Sequence, residues 1–298
     1  MSAFDLGYGT NGFSDHRLPD ALRVIADLGY TAIGLTLDHC HLDPFAPGLV
    51  RRTDGLAALL AASGLRCAVE TGARYLLDPF RKHHPTLVSE SARPRTDFLL
   101  RAVRVAEALG ATCVSFWSGV GEPGVSGRTN RDRIAAHLDP VLAEAGRRGV
   151  RLALEPEPGM AVQRLGEALA LRRFLGAPEP LGVTLDVGHC VAVEPVDAAQ
   201  CVRRAGGLLF NVQLDDMLPG VHEHLEFGQG ALDLPGTLAA LDESGYRGVA
   251  AVELPRHSHA APRTAAKALA ALHAARRVPS GRAASPGGTP APAVRGDS

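Results

Sequence analysis

Cysteine is scarce in this sequence and scattered. Cys40, Cys67, Cys113, Cys190 and Cys201 are the only five. Their number is odd and no two form a CxxC pair, so no disulfide framework is expected, and reduced thiols in a cytoplasmic protein fit best. No run of 18 apolar residues occurs, which removes a membrane-spanning helix. The start, MSAFDLGYGT, lacks both a charged region and a long apolar stretch, so no signal peptide is expected. Charge of one sign is missing too. The formal net charge is −1 and the Lys and Arg residues are dispersed, which leaves no electrostatic footprint for a nucleic-acid partner.

What the chain does have is alternation. Of its 298 residues, 46% are hydrophobic and 21% charged, ordinary for a globular protein with a core that needs no staples. Short apolar or β-branched runs at 3–8, 31–37, 66–71, 113–118, 151–156, 182–187, 207–214 and 248–254 read as eight strands. Amphipathic stretches separate them, among them 18–28, 95–109 and 131–147. In 95–109, Phe98, Leu99, Ala102, Val103, Val105, Ala106 and Leu109 follow a helical period. Glycines at 29, 64, 110, 149 and 245 stand where helices should stop before the next strand. Eight strand–helix units predict an α/β fold, a single-domain (β/α)₈ TIM barrel over 1–278. The segment 279–298, rich in Gly, Pro, Ala and Ser, reads as a disordered tail. The long loops at 39–54 and 72–94 should lie over the C-terminal ends of the strands, where barrel active sites sit.

Several strand ends carry acid. Glu155 closes LALE, Asp186 lies in TLDVGH, Gln213 in NVQLDD and Glu253 in AVEL. Each directly follows an apolar residue at similar depth on strands 5 to 8. They should therefore converge as a ring of oxygen ligands, and three facing carboxylates call for a cation between them. One divalent ion is expected, Mn²⁺ or Mg²⁺ first, with Co²⁺ or Zn²⁺ compatible. Glu70, ending CAVETG, is a further candidate for the site, and Glu157 shares the parity of Glu155 at the rim.

His189 lies three residues after Asp186, in the turn leaving strand 6, and is expected to contact substrate. His222 and His224 follow strand 7; His257 and His259 follow strand 8, beside Arg256. Of these, His189 and His222 are the first choices, with Arg256 as a third substrate contact. His39 and His41 lie farther from the ring. Trp117, the only tryptophan, reads equally as a core plug or as a hydrophobic wall of the site. Arg74, Lys82, His83 and His84 either meet a phosphate or carboxylate or are simply solvated.

The motifs LEPEPG, TLDVGH, HEH…GQG and AVEL resemble those of the xylose isomerase-like barrel superfamily over roughly residues 3–275, the sugar phosphate isomerases and epimerases. The resemblance to its ketose 3-epimerase and hydroxypyruvate isomerase-like members implies that Glu155, Asp186, Gln213 and Glu253 bind one metal and that His189 contacts substrate. Glutamine rather than histidine at 213 is closer to the hydroxypyruvate isomerase-like pattern. The implied activity is isomerisation or epimerisation of a small sugar or polyhydroxy carbonyl compound through an enediolate, with Glu155 and Glu253 as the catalytic acid and base. Two alternatives stand beside it: a metal-dependent dehydratase or lyase acting on a keto-sugar or cyclitol, and a non-catalytic sugar-binding barrel. Endonuclease IV-type members use three zinc ions and extra histidines, which the strand ends ETGARY and FWSGVG do not offer. The expected partner is a carbohydrate, with neither nucleic acid nor membrane. Oligomeric state is left open between monomer and homodimer.

Overall fold

A computed structural model describes residues 4–277; the expected tail at 279–298 lies outside them. The apolar runs form β1 (Asp5–Gly9), β2 (Ala32–Thr36), β3 (Arg66–Glu70), β4 (Val114–Trp117), β5 (Leu152–Glu155), β6 (Leu181–Asp186), β7 (Leu209–Leu214) and β8 (Val249–Val252). Neighbours pair in parallel in chain order, and β1 closes on β8 through Gly7 opposite Ala251. The fold is a (β/α)₈ barrel.

The helices are α1 (Leu18–Leu28), α2 (Leu49–Ser63), α3 (Arg93–Leu109), α4 (Gly127–Arg148), α5 (Leu165–Phe174), α6 (Val187–Val193), α7 (Ala198–Ala205), α8 (Leu234–Glu243) and α9 (Ala261–Ala275). Four of the expected glycine stops are C-caps: Gly29, Gly64, Gly110 and Gly149 have φ of 103°, 64°, 60° and 66°. A side chain there would clash with the following carbonyl, so glycine ends the helix at least cost.

Side-chain parity splits the interior into two cores. Ala32, Ala68, Cys113, Ala153, Val249 and Ala251 fill the barrel itself, while the alternate residues pack outward under the helices. Following the inner parity up each strand, two residues beyond Ala68, Ala153 and Ala251, leads to Glu70, Glu155 and Glu253. The same parity puts Ser115 against Thr184, whose hydroxyl oxygens are 2.7 Å apart across the lumen. A bulge at Phe210 adjusts the remaining pair. Val183 is opposite Leu209, but Thr184 is opposite Asn211, so Asp186 faces Gln213 rather than Val212. The extra residue brings a ligand-type side chain beside Asp186 where an apolar one would otherwise lie.

One local expectation changes. Residues 187–193 form a short helix, not a turn, with Asp186 as its N-cap.

Candidate active site

Above the inner core, the strand ends open into a cavity of about 590 Å³. Glu70, Glu155, Gln213, Glu253, His189 and His222 line it, and Asp186 lies beneath them, 1% exposed. Trp117 and Arg256 also border it, so the four proposed metal ligands and the first-choice substrate contacts lie in or directly under one cavity. A larger groove of about 950 Å³, bordered by Phe45, Leu77 and His137 among others, contains no such gathering of acids.

Local structure fixes each carboxylate. Asp186 Oδ1 accepts the backbone N–H of His189 at 2.9 Å, capping α6. Its Oδ2 finds no hydrogen-bond partner among the described residues. Glu253 Oε1 accepts from Asn11 Nδ2 at 2.8 Å, and its Oε2 is likewise without a partner. Gln213 turns its amide nitrogen toward Glu70 Oε1, 3.4 Å away, which leaves Gln213 Oε1 unpaired as well. Buried polar atoms normally have partners. Three orphaned oxygens on successive strands, beside Glu155, are the donor set a hard divalent cation takes. The residues present therefore fit a metal. Oxygens of Glu155 and Asp186 also come within 4.8 Å of one another and of a nitrogen of His189.

Glu70 belongs to this ring more closely than its place on strand 3 suggested. Thr36 Oγ1 donates to it at 3.4 Å, and Gly34 leaves it room: a Cβ there would meet its Oε1 at 2.7 Å. Burial and the charge of Glu253 push Glu70 up to about 8. Burial and Glu253 also raise Glu155 well above the usual carboxylate range. Asp186 goes the other way: burial opposes its ionisation, but nearby His189 and His224 outweigh it.

The histidines divide by role. His189 is buried and held neutral, its pKa lowered to about 4 by desolvation. Its Nδ1 lies 3.2 Å from the Pro156 carbonyl, which can only accept, so Nδ1 carries the proton. Its Nε2 is then an acceptor, and His222 Nε2, 3.0 Å away, must be the donor. His224 pairs with Asp215, Nδ1 to Oδ2 at 2.7 Å. Burial works against its charge, but the Asp215 bond and the Glu253 and Asp186 carboxylates raise it to about 10. His257 and His259 stack on each other, and neither they nor His39 and His41 border the cavity.

Trp117 is both packed into the core and present at the cavity wall. It is 8% exposed and still borders the cavity, with the Arg95 guanidinium 4.5 Å over its ring and His83 edge-on at 5.2 Å. Of the two long loops, the segment after β3 overhangs the cavity through Gly72, Arg74, Lys82 and His83; the segment after β2 contributes nothing beyond Thr36 at the end of its strand. Sequence reasoning missed Asn11, whose partner is 242 residues away, and the pairing of His224 with Asp215. Neighbouring Asp216 is structural: it accepts from the backbone of Gly228, Gly230 and Leu232 and so shapes the glycine-rich turn.

No curated protein matches the sequence significantly. Among solved structures, D-allulose 3-epimerase from Methylomonas sp. superposes with a TM-score of 0.71 at 20% identity, covering 92% of this chain and 99% of that one. L-ribulose 3-epimerase gives 0.72 at 20% identity, covering 92% and 96%. The IolI protein with a bound zinc atom gives 0.70 at 19% identity, covering 91% and 98%. These likenesses show the shared fold. Residues 22–275 match the family model for the xylose isomerase-like TIM barrel, and the chain belongs to that family.

Proposed function

We propose that this protein is a divalent-metal-dependent isomerase or epimerase of a small polyhydroxy carbonyl compound. The observation that carries the reading is the set of three buried oxygens without a hydrogen bond, on Asp186, Gln213 and Glu253, next to Glu155. These four residues would hold the ion, Mn²⁺ or Mg²⁺ by their oxygen chemistry, with Co²⁺ or Zn²⁺ compatible. The fold is shared with epimerases of D-allulose and L-ribulose and with a zinc-binding protein, which supports a ketose as substrate and a bound divalent ion.

When bound, the ion supplies Lewis acidity that polarises a substrate carbonyl. The protein's own groups move the protons. Glu253 would offer Oε2 to the ion, and Oε1, oriented by the Asn11 amide, keeps a lone pair to take or give a proton. Glu155 has its affinity for a proton raised by burial and by Glu253, a tuning that suits exchange of a proton with carbon. One glutamate removes the proton beside the carbonyl, and the other returns one to the neighbouring carbon or the opposite face. His222 donates its Nε2 proton to His189, which fixes its ring and leaves Nδ1 to accept a hydrogen bond from a substrate hydroxyl. The Trp117 indole offers an apolar face to the carbon chain and excludes water.

The test is solvent deuterium exchange into a ketose panel with metal-loaded and chelator-treated protein. Metal-dependent wash-in with a product of unchanged mass is the expected result. Loss of water from the product would identify a dehydratase, and absence of exchange with every ketose in the presence of bound metal would overturn the reading.

A further inference from the structure

The arm between β3 and α3, residues 71–92, is fixed in an unusual way. Arg95 is 2% exposed, and among the described residues its guanidinium meets no carboxylate. It donates instead to three backbone oxygens of the arm: Thr71 at 3.1 Å, His83 at 2.9 Å and Pro85 at 3.0 Å. A buried cation without an acid partner is costly, so the arm's conformation is imposed at some expense. Within it Ala73, Arg74 and His83 adopt φ of 58°, 38° and 64°, a region non-glycine residues occupy where their surroundings force it.

This conformation delivers two cations to the cavity. Arg74 and Lys82 both border it. Arg74 is half-buried, and among the described residues its guanidinium donates only to Ser14 Oγ, at 3.4 Å. Neither forms an ion pair among the described residues, although Arg256 on the same rim is tied to Glu223. The floor is lined by Glu70, Glu155 and Glu253. Arg74 and Lys82 act on Glu253 and Glu157 through space, but among the described residues neither comes within ion-pair distance of a carboxylate, so their donors stay available to a ligand. The cavity is thus bipolar, acidic at the strand ends and positive, with unused donors, at the arm.

We propose that the substrate is a polyhydroxy carbonyl compound carrying a carboxylate or phosphate at the end remote from the reacting carbons, and that Arg74 and Lys82 hold that anion. This rests on the isomerase or epimerase reading above and narrows its substrate class. Arg95 is a positioning residue in this arrangement, acting through the arm.

The experiment is calorimetric titration of the metal-loaded protein with D-fructose, D-fructuronate and D-fructose 6-phosphate, alongside the double variant Arg74→Gln, Lys82→Gln. One anionic ketose should bind at least about ten-fold more tightly than D-fructose, equivalent to about 1.4 kcal/mol. That advantage should shrink at high salt, since exposed charges are screened. The double variant should lose at least about ten-fold more affinity for the anion than for D-fructose, while metal uptake reports that its site is intact. The uronate and phosphate arms decide which anion is read. If neither anionic ketose outbinds D-fructose, or if the advantage survives the double substitution, the inference is overturned. The isomerase or epimerase reading is judged separately, by metal-dependent deuterium exchange into any ketose.

Discussion

Glu155 and Glu253 stand at equivalent inner positions on β5 and just past β8, two residues above Ala153 and Ala251, which is why alternating parity alone brings them to one cavity. Glutamine at either position keeps the shape and one ligand oxygen and loses the ability to exchange a proton. Both Glu155→Gln and Glu253→Gln are expected to fall below about a tenth of wild-type turnover, a barrier rise of at least about 1.4 kcal/mol, while retaining measurable metal. If the two act on opposite sides of the substrate, one variant should still wash deuterium into a ketose that it cannot convert. More than a tenth of the activity remaining in both would move the chemistry to other residues. At this scale the sequence was informative where side chains follow strand parity. It was silent on Asn11, which acts through a contact with Glu253 across the closing seam of the barrel. It placed His224 after strand 7 but was silent on its pairing with Asp215 nine positions earlier, on which its charge depends. Neither has a local spacing that announces it.

The strands and their glycine stops were readable because each obeys a local rule: an apolar run of period two, or a left-handed cap. The β3–α3 arm follows no such rule. Its shape comes from Arg95 donating to three carbonyls, a tertiary event with no periodic signature. The bulge that faces Gln213 with Asp186 is similar, since one added residue in β7 shows only against its neighbour. The strands also make room for the site. Gly34 in β2 is placed so that a Cβ would press on the Glu70 carboxylate, whereas a Cβ at Gly55 in α2 would meet nothing within 4 Å. Gly34→Ala should therefore cost about 1–3 kcal/mol through overpacking. By displacing the group that orients the Gln213 amide, it should also weaken metal binding by about ten-fold or more. Gly55→Ala should leave metal binding unchanged and stabilise slightly, by about 0.5–1 kcal/mol, through helix propensity. Thermal melts and metal titration of the pair decide it; a Gly34→Ala protein with wild-type melting and metal affinity would remove Glu70 from the site's supporting structure.

For the molecule as a whole, the gathering of Glu70, Glu155, Glu157, Asp186 and Glu253 at one end of the barrel is a liability without a cation and an asset with one. Burial and Glu253 raise both Glu70 and Glu157 to about 8 from an ordinary value of 4.5. A carboxyl whose pKa is higher folded than unfolded favours the folded state most below its unfolded value, and that contribution is lost as pH rises through the folded value. The relevant window is therefore pH 4.5 to 8. In chelator, Glu70→Gln should melt close to wild type near pH 5 and several degrees above it by pH 8. Bound metal should cancel the penalty, because ligand carboxylates bind the ion only when deprotonated. Saturating Mn²⁺ should raise the wild-type melting temperature more at pH 8 than at pH 5, with one ion per chain by elemental analysis. At 100-fold above the dissociation constant the stabilisation should be about 2.7 kcal/mol. If metal leaves the melting temperature unchanged, or the Glu70→Gln advantage shrinks as pH rises, the carboxylates do not form a shared cation site, and the repulsion between them must be relieved by protonation alone.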